Sequence, residues 1–218
     1  MTPVRAACLL AAGLLACAPL RALEWENLTA EVGAFQGDSQ ASAVFRFRNT
    51  GHFPVTITSV DPSCGCTSAD ADKKVVAPGE SDSIRATLDI GTRVGRQEKW
   101  ITVTTDEVPA GSATLTLVVT IKETVTCAPR LLFWKKGGPA AEQATDVVAA
   151  EGETLEAVTA APDTKAVSVR VEAVEPGRRF RIRVVPGSTD RPLVAEIPCS
   201  VRVKGRPSPP LTIYASIN

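Results

Sequence analysis

Along most of this chain, apolar and polar residues alternate one by one. In the stretch ASAVFRFRN, Ala43, Phe45 and Phe47 stand against Val44, Arg46 and Arg48. A period of two places successive side chains on opposite faces of a strand, so such a stretch reads as a strand with one buried face. PVTITSV sets Val55 and Ile57 against Thr56 and Thr58, and SDSIRATLDI sets Ile84, Ala86 and Leu88 against polar neighbours. KWITVTT and SATLTLVVTI continue the series. The turns between these stretches carry turn chemistry: Asn49-Thr50-Gly51, and Pro78-Gly79-Glu80, where a proline-fixed φ is followed by a permissive glycine. No segment has a sustained 3.6-residue apolar repeat bounded by helix caps. The pattern predicts an antiparallel sandwich.

A second unit begins near Cys127. RLLFW is followed by the loop Gly137-Gly138-Pro139. The stretch from Ala140 to Ala161 favours helix by its alanine and glutamate content, yet TDVVAA and LEAVTA read better as short strands split at Glu151-Gly152. AVSVRVEAV and RFRIRVVP alternate strongly and are joined at Pro176-Gly177. LVAEIPCSVRV and PLTIYASI close the set. The fold class expected is all-β: two β-sandwich domains in tandem, over residues 23–123 and 127–218. The joint at Lys122–Thr126 is short and has no Gly/Ser run, so the domains should be semi-rigidly coupled.

Length and composition agree. The 218 residues suffice for two domains of about 100 residues each. The 24 Lys and Arg balance the 24 Asp and Glu, which removes the electrostatic reason to expect a nucleic-acid partner. The first 22 residues read as an export signal: Arg5 precedes the uncharged run Ala6–Ala16, too short to span a bilayer as a stable helix. Two exits are open. Leu14–Cys17 matches a bacterial lipobox, which would put a lipid on Cys17 and give the only membrane contact. Cleavage after Ala22 would instead release a soluble exported form. Either way the expected place is the periplasm or the cell surface. Without residues 1–22 the chain keeps Cys64, Cys66, Cys127 and Cys199, in a compartment that permits disulfides.

The motif elements Asn49-Thr50-Gly51, Pro54, Cys64-Gly65-Cys66-Thr67, Pro78-Gly79-Glu80 and Gly95, within Leu23–Glu123, together resemble the bacterial domain of unknown function 1573 family. The resemblance implies an immunoglobulin-like sandwich akin to major-sperm-protein and Hydin-type domains. Pro129–Trp134 is similar to the opening of a second such domain. The resemblance implies no activity, and a fold of this kind hosts many functions.

Cys64 and Cys66 are open to three readings. They pack a corner where a strand leaves its sheet. Reduced, they form a two-thiolate site for a soft ion such as copper(I) or zinc. Oxidised, they close a small redox-active disulfide. His52, Asp61 and Asp70 are the local candidates for further ligands, and His52 belongs at the far end of the strand that leads to the cysteines. Cys127 and Cys199 are a candidate disulfide across the second domain. His52, the only histidine, lies in a turn, and no enzyme signature such as a P-loop, GxGxxG, HExxH or GxSxG occurs. No catalytic residue and no cofactor is therefore expected. Arg178, Arg179, Arg181 and Arg183 read as the solvated face of a strand, with an anion site as the alternative. Trp25, Trp100 and Trp134 read as core residues, with sugar stacking as the rival. The function expected is a non-enzymatic exported module for protein interaction or envelope structure, its partners reached by strand addition at a sheet edge. The rival is a thiol-based metal or redox protein centred on Cys64 and Cys66.

Overall fold

The computed structural model describes residues 21–107 and 111–218; Cys17, expected above as a lipidation site, and the other residues of the expected export signal up to residue 20 lie outside the described residues. Among the described residues every regular element is a strand. The first domain holds β1 (Leu23–Trp25), β2 (Thr29–Phe35), β3 (Gln40–Asn49), β4 (Val55–Pro62), β5 (Thr67–Ala71), β6 (Val75–Val76), β7 (Ser81–Asp89), β8 (Gly95–Thr105) and β9 (Ser112–Lys122). They form two sheets, in the orders β1-β3-β7-β5 and β2-β9-β8-β4-β6. The second domain holds β10 (Val125–Ala128), β11 (Leu131–Trp134), β12 (Gln143–Ala149), β13 (Leu155–Ala160), β14 (Val167–Glu175), β15 (Arg179–Pro186), β16 (Leu193–Val203) and β17 (Leu211–Ile217). Its sheets run β10-β12-β15-β14 and β11-β17-β16-β13.

The two domains repeat one plan. In each, the opening strand is split between the sheets. β1 pairs antiparallel with β3, while β2 runs parallel to β9. Likewise β10 pairs antiparallel with β12, and β11 runs parallel to β17. The helical propensity of Ala140–Ala161 is overridden: β12 and β13 occupy that stretch, parted at Glu151-Gly152, because alternate residues such as Val147, Ala149, Leu155 and Val158 are needed in the core. Alternation fixes the faces elsewhere too. Ala41, Ala43, Phe45 and Phe47 of β3 pack against Ile84, Ala86 and Leu88 of β7 and Ile101, Leu115 and Leu117 of the opposite sheet. Ile182, Val184, Ala195, Ile197 and Ile213 do the same in the second core. Turn asparagine Asn49 is fully buried, and its side-chain amide donates to the carbonyls of Phe53 (2.9 Å) and Val76 (2.8 Å). It satisfies backbone groups that the turn would otherwise leave unpaired.

Only Glu123 and Thr124 separate β9 from β10. Gln36, just past β2, closes this joint. Its side-chain carbonyl accepts hydrogen bonds from the Thr124 backbone N–H (3.0 Å), the Thr124 hydroxyl (3.2 Å) and the Val125 N–H (3.1 Å). Gln36 is 4% exposed and Thr124 fully buried. Around it, Arg206 of the second domain stacks over the Phe35 ring at 3.8 Å and reaches Glu153 with two nitrogens at 3.0 and 3.2 Å. Lys122 adds a third contact to Glu153 at 3.2 Å. These pairings hold the Glu153 carboxyl below its usual range, the Arg206 hydrogen bonds being the main cause. Gly37 adopts φ +100°, and a Cβ there would stand 2.8 Å from the Ser208 carbonyl oxygen, so the backbones of the two domains meet at a residue that must stay glycine.

Gln36→Ala should cost about 2–3 kcal/mol in a denaturant melt, because two buried N–H groups lose their partner. Gln36→Glu, which keeps an acceptor, should cost less at neutral pH; equal losses would show that acceptance of these bonds is not what matters.

Candidate functional site

β4 belongs to the five-stranded sheet and β5 to the four-stranded one, so residues 63–66 carry the chain from one sheet to the other at an end of the first sandwich. Cys64 and Cys66 sit in this crossover and are joined to each other, with an S–S distance of 2.09 Å and Cα atoms 5.3 Å apart. The crossover is also held without sulfur. Ser63 N–H donates to the Trp100 carbonyl (2.8 Å), and the Trp100 N–H donates back to the Ser63 hydroxyl (3.2 Å). Thr67 N–H donates to the Cys64 carbonyl (3.2 Å), and Asp89 N–H to that of Cys66 (2.9 Å). The Thr67 hydroxyl, in a side chain 6% exposed, lies 3.4 Å from Cys64 Sγ and 3.9 Å from Cys66 Sγ.

Bonded to one another, the two sulfurs are not free thiolates, so the soft-metal pair expected from the sequence is not what this state presents. Among the described residues no group of three His, Cys, Asp or Glu side chains is gathered as a metal site. His52 precedes β4 and the cysteines follow it, which keeps them at opposite ends of an eight-residue strand. His52 lines instead a cleft of about 460 Å³ with Arg21, Phe53, Asp106 and Glu107, and no serine or cysteine is among its described lining residues. Asp106 there accepts a 2.7 Å hydrogen bond from Thr56 N–H, which lowers its pKa.

The bridge expected between Cys127 and Cys199 is not formed. Both are free thiols. Cys127 lies on β10 and Cys199 on β16, in opposite sheets that share one core, and each has found another partner. Cys127 Sγ and the Thr145 hydroxyl share a 3.4 Å hydrogen bond, and the Cys199 thiol donates to the Ile197 carbonyl at 3.4 Å. Burial raises the Cys127 pKa. Burial, and then the neighbouring Cys127, pushes Cys199 from its ordinary 9.0 up to about 12.

The arginine cluster of β15 is not an open basic face. Arg181 grips Asp146 of β12 with two nitrogens at 2.7 and 2.9 Å. Arg183 reaches Glu172 of β14 at 2.7 and 3.0 Å and Glu142 at 2.6 Å, and Arg179 pairs with Glu175. The carboxylates come from the strands on either side and, for Glu142, from the residue before β12, so the outer face of this sheet is a ladder of ion pairs with little positive charge left over for an anion. Arg181 holds Asp146, and Arg183 holds Glu172, below the usual carboxylate range.

The tryptophans divide. Trp134 is 3% exposed and its indole N–H donates to the Ala141 carbonyl at 2.7 Å, while Trp25 packs on Phe47 with ring centroids 4.7 Å apart. Trp100, expected in the core, is 51% exposed on the outer face of β8, beside the Cys64–Cys66 corner. A second exposed feature is the outer face of the sheet led by β11. Leu131 lies beside Tyr214 in the ladder, and Phe133 and Val194 flank Ser216. All four apolar side chains are exposed, Val194 by 69%, and between Phe133 and Val194 even Ser216 is covered. The sequence did carry a signal for this face. In RLLFW no polar residue alternates with the apolar ones, so if Leu132 and Trp134 enter the core, Leu131 and Phe133 must face outward.

Residues 23–121 match the model of the family described as "Protein of unknown function (DUF1573)". No curated protein matches the chain. Solved structures to which it is similar include a protein of unknown function from Porphyromonas gingivalis, at 12% identity and TM-score 0.38, covering 90% of this chain and 100% of that one. A PapD-like domain of human CEP192 matches at 11% identity and TM-score 0.39, over 56% of this chain and 99% of the other. The Vibrio cholerae protease VesB matches at 18% identity and TM-score 0.39, over 45% of this chain, which spans only 32% of that protease.

Two outcomes follow for the cysteines. A bridge between residues two apart removes little chain entropy, so Cys64→Ser/Cys66→Ser should lower stability by no more than about 1.6 kcal/mol; a larger loss in a urea melt would make the bridge a principal staple. The folded state holds the Cys199 proton more tightly than the unfolded chain does, so its contribution is complete below pH 9 and lost as pH rises towards about 12. Cys199→Ala should therefore flatten the decline in stability over that range relative to the parent protein, as read by melts at stepped pH.

Proposed function

We propose that this chain, whose first sandwich belongs to the DUF1573 family, is a non-enzymatic, exported immunoglobulin-like module that binds a protein partner in the bacterial envelope. The observation that carries this reading is the apolar outer face formed by Leu131, Phe133, Tyr214 and Val194. Contiguous apolar surface exposed to water is costly to keep and marks interaction sites. It adjoins a sheet edge: β11 pairs with β17 on one side only. An extended segment added along β11 would meet unpaired backbone groups, and its alternate side chains would lie over Leu131 and Phe133. The Phe133 carbonyl already receives the Gln143 amide at 2.5 Å, so pairing would centre on Leu131. Exposed Arg130, Lys135 and Lys136 flank the strand, which favours a segment that mixes apolar residues with acidic ones. Export is supported by the leader-like residues 1–22, and a disulfide between Cys64 and Cys66 suits an oxidising compartment.

A photo-cross-linking side chain placed at Phe133 should give a discrete adduct in native envelopes, while one at Thr87, on the outer face of the first domain, should not. Val194→Glu should reduce the Phe133 adduct at least tenfold without changing the melt. Equal labelling from both positions, or an adduct indifferent to Val194→Glu, would remove the face from consideration.

A further inference from the structure

We propose that the Cys64–Cys66 bond is a thiol–disulfide exchange site that oxidises a dithiol in an extended peptide, with the Trp100 indole as the surface on which that peptide docks. This activity lies outside the binding role of the β11 face and does not depend on it. Three observations meet at this corner.

The bond has little structural work to do. It joins residues two apart, and the crossover is already closed by hydrogen bonds from Ser63, Thr67 and Asp89. Both flanking strands are set in register by their ladders, β4 on β8 and β5 on β7. Opening the bond therefore leaves the corner in place.

The corner is also open to a partner. A Cβ built on Gly65 would meet nothing within 4 Å, so the outside of the three-residue loop faces free space. Trp100 is bonded through its backbone to Ser63, the residue before Cys64, and is itself half exposed. A large rigid apolar surface with few rotamers is a favourable platform for a peptide.

Finally, the sulfurs are provided with a donor. Cys66 packs against the core, and the Thr67 hydroxyl lies within reach of both sulfurs. That hydroxyl can donate to a thiolate as it forms, which lowers the cost of releasing it.

The exchange is a two-step transfer of two electrons. A thiolate of the peptide attacks Cys64 Sγ, a new S–S bond joins peptide and protein, and the Cys64–Cys66 bond breaks with its electron pair left on Cys66 Sγ. The second peptide thiolate then attacks the peptide sulfur of that mixed disulfide, and Cys64 leaves as a thiolate. The peptide dithiol is oxidised to a disulfide, Cys64 and Cys66 are reduced to thiols, and the two protons given up by the peptide end on them.

The test mixes purified oxidised protein with a reduced synthetic peptide carrying two cysteines around an apolar stretch, or with dithiothreitol. Acid quenching, alkylation and peptide mapping by mass spectrometry then follow each cysteine. Peptide disulfide should appear in step with alkylated Cys64 and Cys66, while Cys127 and Cys199 stay unchanged. Cys64→Ser/Cys66→Ser should be inert. Trp100→Ala should slow exchange with the peptide about tenfold and leave the rate with dithiothreitol unaltered. The proposal is overturned if the peptide stays reduced beside an intact Cys64–Cys66 bond. It is equally overturned if oxidation maps to Cys127 or Cys199, or if Trp100→Ala slows both dithiols alike.

Discussion

The side-chain carbonyl of Gln36 decides how the two sandwiches stand to one another. A linker of two residues between packed domains has backbone N–H groups that neither sheet ladder can take up. Gln36 takes them, from a position just past β2, and so binds the first domain to the first residue of β10. The Thr124 carbonyl is met in turn by Ala150 N–H of the second domain at 2.9 Å. Every polar group of Thr124 is thus spoken for, and the salt contacts of Glu153 with Arg206 and Lys122 lie outside this knot. The exposed features of each domain, the disulfide corner in one and the apolar face in the other, owe their mutual placement to it.

Much of this architecture can be read from period-two alternation. Phe45 and Phe47, Ile84 and Leu88, Ile182 and Val184 all enter cores as their spacing demands. The Ala/Glu-rich stretch around Glu151-Gly152 obeys alternation over propensity. What alternation does not contain is register and neighbour identity. Arg179, Arg181 and Arg183 look like a solvated basic face until Asp146, Glu172 and Glu175 are brought beside them from two other strands. Trp100 differs: in KWITVTT it shares the parity of Thr102 and Thr104, opposite the buried Ile101 and Val103, so alternation does place it outside and only its aromatic character argued for the core. Cys127 and Cys199 do share a core, as their places near the two ends of the domain imply. Sharing a core does not make them partners: Cys127 is hydrogen-bonded with Thr145 and Cys199 to the Ile197 carbonyl instead.

The second domain has two chemically opposed outer surfaces. One is the ladder of arginines and carboxylates across β12, β15 and β14, in which charge is satisfied within the sheet. The other is the face built on β11, β17 and β16, where apolar side chains have no covering layer among the described residues. For any partner the contrast would favour one side, since a paired charge ladder gains little from contact while an uncovered apolar face gains by losing water.

The split opening strand has a mechanical side. β11 runs parallel to β17, so a pull entering at Leu131 and leaving at Ile217 draws the two strands past each other along their length. Their hydrogen bonds then bear the load together in shear, where a hairpin pulled apart from its ends would release them singly. The same geometry recurs between β2 and β9. Each domain thus carries one parallel pair of terminal strands that resists being slid apart more than being peeled.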